Sequence, residues 1–385
     1  MGYKKVFIFL SLNPTKEFYK SLSELSFIKN LEIFGFNDLN FESLQRIIKL
    51  FKGDIKSNRI KSSKIKLLSL EIFNHSQNVL ISKNGKVFST DLNTNALYEF
   101  LEMKLSKISF LITDTTYQYN ALKLILPEIC INKQNSKISK FDLKGNLLGS
   151  EHWNSLFELF AFLNKTSQWM ILRNFELLSD TYKFKKGDDI DILCEDLEYF
   201  TALMNAKRRF GGRCSYFVTV NNYNIPLDIR FIGDKYFDPL WASDMLKRKK
   251  FKSLIPIPSK LDYFFSLLYH VKLQKLDVKK IYIKRLDILA KEIGIQNLSS
   301  NFVLDDSICA DLLNGFLSTN NYRYTYTDDA VRNKSFLEHI HLKEFNDPLN
   351  NWRVLIIKTP QILFKKIMQK FQKILFKKTE FPKVY

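Results

Sequence analysis

Apolar residues along this chain recur with two periods, and the places where the period changes mark its elements. Val6–Leu12 is an almost unbroken apolar run of strand length, and Pro14–Leu25 then carries apolar positions at helical spacing. Leu44–Phe51 is amphipathic. Ile65–Ile72 and Val79–Val87 predict strands, the second interrupted by an Asn84-Gly85 turn. Asn93–Leu105 predicts a helix, Ile108–Ile112 a strand and Tyr117–Leu126 a helix. Residues 1–135 therefore read as an α/β domain, with neither a Gly-rich phosphate loop nor an internal repeat.

The pattern then changes. A hairpin is predicted from Lys137–Phe141, a Lys144-Gly145-Asn146 turn and a short return at Leu147–Leu148. Glu151–Leu163 carries an aromatic and leucine stripe at helical spacing. Trp169–Leu172 predicts a strand, Lys183–Gly187 a basic loop, 189–193 a strand and 196–207 a helix. A Gly211-Gly212 turn and strands at 215–220 and 225–232 follow. Residues 136–238 thus predict a small mixed sheet. Residues 239–350 begin helix-rich, at Ala242–Lys249, Lys260–Gln274 and Val278–Ile293, with Pro256 and Pro258 as breakers, and become polar and irregular from 318. Residues 351–385 form a basic tail. Within it, 352–378 places Ile362, Phe364, Ile367, Phe371 and Leu375 near helical period among Lys365, Lys366, Lys370 and Lys373. The predicted fold class is α/β (α+β), in three folded parts and a tail.

Composition supports a folded chain: 385 residues are 45% hydrophobic and 14% aromatic, with only 12 Gly and 9 Pro. Cys130, Cys194, Cys214 and Cys309 are scattered, which excludes a Cys-x-x-Cys zinc knuckle and a disulfide framework and suits core thiols in a reducing compartment. A net charge of +19 favours anionic partners. Lys, Asn, Ile and Phe are abundant throughout, as AT-rich coding produces, so the charge alone does not indicate nucleic acid. No apolar run reaches the ~18–20 residues needed to span a bilayer. The opening residues superficially resemble a signal peptide, but the apolar run is short and Asn13-Pro14-Thr15-Lys16-Glu17 is no small-residue cleavage site; a first strand is expected there. A cytoplasmic protein is expected.

The candidate chemistry lies in two strands that carry charge where Ile and Leu are usual. Residues 187–193 read Gly-Asp-Asp-Ile-Asp-Ile-Leu and residues 225–231 read Ile-Pro-Leu-Asp-Ile-Arg-Phe. Asp189 and Asp191, two apart on a strand, share a face. Asp228 adds a third carboxylate. Gathering three is costly unless a cation neutralises them, and an all-oxygen set selects Mg2+ with a phosphate partner.

These residues resemble the nucleotidyltransferase superfamily with a DNA polymerase β-like core. That resemblance implies a two-ion Mg2+ site, with Asp189 and Asp191 on the triphosphate-bound metal. Asp228 would join them on the second metal and help deprotonate an acceptor hydroxyl. The superfamily has Gly-Ser ahead of its Asp-x-Asp; here Arg173-Asn174 follows the 169–172 strand instead. Arg173, Asn174 and Lys186, with Lys183 and Lys185, are the expected phosphate contacts. A structural ion pair of Arg173 with Glu176 or Asp180 is the alternative. His270 and Lys275, on the helix after the sheet, are candidate pocket residues; a core histidine is the competing assignment. His152 and Trp153 are expected to pack, and His339 with His341 lacks the third ligand of a zinc site.

A narrower resemblance covers residues 140–345. Phe-Asp-Leu-Lys-Gly-Asn (141–146), Glu-His-Trp (151–153), Ile-Leu-Arg-Asn-Phe-Glu (171–176), Asp-Asp-Ile-Asp-Ile-Leu (188–193) and Phe-Ser-Leu-Leu-Tyr-His (265–270) are similar to uncharacterised nucleotidyltransferase-like proteins of bacterial surface-polysaccharide gene clusters. It implies transfer of a nucleoside monophosphate from an NTP to a small-molecule acceptor, a sugar or polyol precursor. Two rivals stand beside it: the same chemistry on a protein or RNA, and a degenerate, non-catalytic fold that binds nucleotide or scaffolds a complex. The 352–378 segment has three readings: a last packed helix, peripheral contact with the inner face of an anionic membrane, or a partner site.

Overall fold

The computed structural model describes residues 3–10, 14–36, 41–51, 66–73, 78–83, 86–105, 110–113, 115–126, 129–132, 138–143, 146–178, 184, 188–209, 214–296, 298–325 and 333–340. The protein is a mixed α/β chain that divides into two compact units. The first comprises residues 1–208 and 214–263, the second 209–213 and 264–385. Lys183, Lys185, Lys186, His341 and the 351–385 tail lie outside the described residues.

The first unit opens with β1 (Tyr3–Leu10), α1 (Lys16–Glu24), β2 (Ile28–Phe36), α2 (Phe41–Leu50) and β3 (Lys66–Phe73). A hairpin of β4 (Asn78–Lys83) and β5 (Lys86–Asp91) follows, then α3 (Leu92–Lys104), β6 (Phe110–Ile112), α4 (Thr116–Ile125), β7 (Ile129–Asn132) and β8 (Ile138–Leu143). Six of these strands form one sheet in the order β6-β1-β3-β2-β8-β7. Val6, Ile8 and Leu10 from β1 bury against Leu68, Leu70 and Ile72 of β3 and against Phe18 and Leu22 of α1. Thr15 caps α1, and Thr115 with Gln118 closes a capping box on α4.

Two sequence expectations need correction. Strand β2 was not expected, yet it sits inside the sheet, antiparallel to β3 and parallel to β8. A register shift between Ile28 and Asn30 breaks its alternation, which removes the period-two signal. The hairpin expected at 137–148 does not form. β8 pairs with β2 and β7, while Leu147 and Leu148 lie in a turn. The N-terminal sheet therefore runs to residue 143 rather than ending at 135.

The same unit continues with α5 (Leu156–Thr166), β9 (Trp169–Ile171), β10 (Ile190–Cys194), α6 (Leu197–Met204) and β11 (Lys207–Arg208). Next come β12 (Ser215–Val220), β13 (Tyr223–Phe231), α7 (Pro239–Arg248), and the pair β14 (Lys250–Lys252) and β15 (Ile255–Ile257). A five-stranded mixed sheet has the order β11-β12-β13-β10-β9, with β10 parallel to β13 and antiparallel to β9. Trp169 packs between Phe160 of α5 and Phe200 of α6. Trp153 is buried as expected and donates from Nε1 to the Met204 carbonyl at 2.9 Å. Its indole lies so close to Gly149, at φ +69°, that a Cβ there would sit 2.6 Å from the ring, so only glycine fits.

Arg46 ties the two sheets' helices together. From α2 it donates to the carbonyls of Ala202 (2.7 Å) and Leu203 (2.7 Å) at the end of α6, and to Leu148 (2.6 Å). The Ala202 and Leu203 carbonyls lie in the last turn of α6, where the helix dipole favours a cation. Burial pulls the Arg46 pKa down to about 9, which still leaves it protonated at neutral pH.

Helix α8 (Lys260–Leu273) begins in the first unit and continues in the second, which adds α9 (Lys280–Glu292), α10 (Asp306–Thr319) and α11 (Lys334–His339). Phe265 stacks on Phe316 with centroids 3.9 Å apart, and Lys272 pairs with Asp306 and donates to the Val303 carbonyl. Cys194, Cys214 and Cys309 are buried thiols, as their spacing predicted. Among the described residues no helix is long and apolar enough to cross a membrane.

Candidate active site

Strand β10 is buried at all five positions. One of those positions is a charge, Asp191, which is 7% exposed. The parallel register sets Asp191 beside Asp228 and Leu193 beside Arg230. Cross-strand partners point to one face of a sheet, as do residues two apart on a strand, so Asp191, Asp228 and Arg230 share a face of two strands about 4.8 Å apart. The register thus sets Asp191 and Asp228 side by side.

Two arginines hold these carboxylates. The Arg173 Nη2 donates to Asp191 Oδ1 at 2.5 Å, and both side chains are almost fully buried. Arg230 Nη2 donates to Asp228 Oδ2 at 3.2 Å, and its Nη1 lies 3.9 Å from Asp234 Oδ2. Tyr236 connects the two: its hydroxyl accepts from Arg173 at 3.3 Å, and the Arg230 guanidinium lies over its ring at 4.2 Å. Arg230 also reaches Cys214 Sγ at 3.7 Å.

Local chain geometry explains how Arg173 arrives there. β9 ends at Ile171, and the Leu172 amide still bonds the Asp191 carbonyl at 2.8 Å, so the chain leaves the sheet alongside Asp191. Asn174 then takes a left-handed conformation (φ 61°) and starts a short 3-10 turn at Phe175–Leu177. Asn is, after Gly, the residue most readily found there. Glu176 accepts from the Tyr263 hydroxyl at 2.8 Å and Arg173 pairs with Asp191; of the two alternative partners for Arg173, Asp180 lies outside the described residues.

The electrostatics follow from burial and these partners. Desolvation would lower the Arg173 pKa, and the charges and bonds of Asp191 and Tyr236 outweigh it, leaving the guanidinium above its ordinary value. Burial raises the Asp228 carboxyl; Arg230 opposes that, Asp191 adds to it and Arg173 opposes it, and the net direction is upward. Burial pushes the Tyr236 phenol up to about 12 despite both arginines, so it stays a neutral hydroxyl.

The other expected residues fall elsewhere. Asp189 precedes β10 and is exposed at the strand's entrance, while Asp188 is half-buried. Lys186 is outside the described residues. His270 and Lys275 belong to the second unit. His270 is buried with its Nδ1 3.0 Å from Oε1 of Gln274, the residue after α8, which matches the core histidine, and Lys275 is exposed just beyond it. Arg230, Asp234 and Tyr236 were not singled out from the sequence. Arg230 was findable, being two residues from Asp228 on one strand and so on its face. Tyr236 and Asp234 lie in the loop after β13, where no periodicity marks them.

The donors fit a hard divalent cation in kind, since Asp191 and Asp228 offer only carboxylate oxygens on one face. The three-carboxylate set is not assembled: among the described residues no three His, Cys, Asp or Glu side chains converge on a point. Asp191 and Asp228 are therefore the pair that a cation would share. Comparison with protein-family models, with curated proteins and with solved structures returned no match.

Proposed function

We propose that the protein is a Mg2+-dependent nucleotidyltransferase that moves a nucleoside monophosphate from an NTP to a small acceptor, a sugar or polyol precursor of a surface polysaccharide. The observation that carries this reading is the in-register placement of Asp191 and Asp228 on parallel strands, facing a buried arginine at the end of the neighbouring strand. Such a constellation suits transfer at a phosphorus. An acceptor oxygen attacks the α-phosphorus, the bond to the bridging oxygen breaks, and pyrophosphate leaves.

Asp191 and Asp228 would hold the ion, with Asp189 at the entrance of the strand. The bound ion would neutralise phosphate oxygens and make the acceptor hydroxyl easier to ionise. The chain's own residues have distinct duties. Asp228, whose carboxyl binds its proton more tightly than usual, is suited to take the acceptor's proton. Arg173 supplies a planar fork of donors for phosphate oxygens. The left-handed turn at Asn174 takes the place of the superfamily's glycine. Arg230, held by Asp228, Asp234 and Tyr236, fixes the Asp228 side chain.

One observation favours a second reading. Both strand aspartates are already neutralised by arginines, as a charge network in a non-catalytic nucleotide-binding scaffold would be. Turnover separates the two. Purified protein with Mg2+, each common NTP, and a panel of sugar and polyol phosphates is expected to release pyrophosphate, and Asp191→Asn is expected to lose that release by at least about 1,000-fold while remaining folded. No release from any combination, or equal release from Asp191→Asn, would favour the scaffold.

A further inference from the structure

The two arginines at the site are not held alike, and the difference assigns them different parts. Arg230 is fastened by four groups around it: Asp228 at 3.2 Å, Asp234 at 3.9 Å, the Cys214 thiol at 3.7 Å and the Tyr236 ring at 4.2 Å. It is built into the loop that follows its own strand. Arg173 is fastened through one nitrogen, Nη2, which serves both Asp191 and the Tyr236 hydroxyl. It stands beyond the end of β9, next to the left-handed Asn174, where a strand no longer fixes the backbone.

Charge counting points the same way. Asp191, Asp228 and Asp234 against Arg173 and Arg230 leave one negative charge among five buried or half-buried groups. Adding a divalent cation between Asp191 and Asp228 makes the sum positive by one. The cation and the Arg173 guanidinium would then crowd one carboxylate, whose Oδ1 Arg173 already holds. Like charges packed in a poorly hydrated site repel strongly, so the more loosely held one is displaced. A displaced Arg173 needs an anion, and a triphosphate is the anion that accompanies the metal.

Resting on the nucleotidyltransferase reading above, we propose that Arg173 is an exchangeable counter-ion. It occupies Asp191 when the site is empty and transfers to the nucleotide's phosphates when a divalent ion takes Asp191. Metal and nucleotide then bind each other's site states cooperatively: the metal releases the arginine that the nucleotide needs, and the nucleotide traps the arginine away from the metal's ligand. By linkage, each raises the other's affinity by the same factor. The arrangement weakens divalent-ion binding at Asp191 until a nucleotide is present.

Isothermal titration of the full chain with Mn2+ tests this, alone and in the presence of the α,β-methylene analogues of ATP, GTP, CTP and UTP in turn. Wild-type protein is expected to bind Mn2+ about ten-fold more tightly with the accepted analogue than without. R173Q is expected to bind Mn2+ alone about ten-fold more tightly than wild type and to gain little from the analogue. R173K, which keeps the charge but not the fork, is expected to fall between them, and it decides the matter if R173Q does not fold by circular dichroism. D191N should lose Mn2+ binding in both settings, which ties the heat to this site. If Mn2+ and analogue bind wild type but neither Arg173 variant tightens Mn2+ binding, the exchange is overturned and the nucleotidyltransferase reading stands. If wild type binds no Mn2+ with or without any analogue, both fall together.

Discussion

The two sheets of the first unit bury opposite materials. In the six-stranded sheet the interior strands β1 and β3 pack Ile8, Leu10, Leu68 and Leu70 at essentially zero exposure, and its buried polar groups are hydroxyls satisfied locally, such as Thr113, which accepts from the Phe7 amide. In the five-stranded sheet the interior strands β10 and β13 bury Asp191 and Arg230 and half-bury Asp228. Both sheets have ample apolar sequence. The first uses its interior to stabilise the fold. The second places ions where burial works against stability, and that cost is what the proposed chemistry would account for.

That contrast predicts different responses to substitution. The largest effect is expected at Arg173. Arg173→Met strands the Asp191 charge and should cost about 3–5 kcal/mol, whereas Arg173→Met with Asp191→Leu should recover most of the loss. Urea unfolding of the two variants measures both. In the other sheet, Ile8→Ala should cost about 2–5 kcal/mol through the cavity it leaves, with no pH dependence and no rescue by a second polar-to-apolar change. If Arg173→Met costs no more than a surface substitution, the five-stranded sheet does not differ from its neighbour as described.

The smallest effect concerns pH. The folded chain holds the Asp228 proton to a higher pH than the unfolded chain, so across that window the folded state binds more protons. Its contribution to stability therefore falls as pH rises out of the ordinary carboxylate range, the reverse of an ion-paired aspartate whose pKa is depressed. Asp228→Asn should flatten that part of the stability profile, measured in EDTA by thermal unfolding. A wild-type profile that rises through the same range would assign Asp228 the opposite role.

Much of this contrast was legible in the sequence. Asp191 and Asp228 stand among Ile and Leu in strand-length runs, and a buried position that demands a charge is visible without coordinates. The turn at Arg173-Asn174 was visible as a departure from Gly-Ser, but not that Arg173 would fold back onto Asp191, because an ion pair across 18 residues leaves no periodic trace. Glu176, one of the two alternative partners, is nearer in sequence and bonds Tyr263. Strand β2 escaped because its bulge sets Lys29 and Asn30 side by side and breaks the alternation; the strand at β8 was legible, but not its pairing with β2 from much earlier in the chain. Tyr236 had no signal at all, since a loop residue is placed by the strands it connects.

The central claim is that Asp191 and Asp228 together grip a divalent ion beside a nucleotide. Crystals grown with Mn2+ and a non-hydrolysable NTP analogue, measured for anomalous scattering, test it most directly. A peak at about 2.0–2.2 Å from oxygens of both carboxylates, with Arg173 turned to the phosphates, is the predicted result. Nucleotide bound with no peak at these residues, and Arg173 still on Asp191, would contradict it.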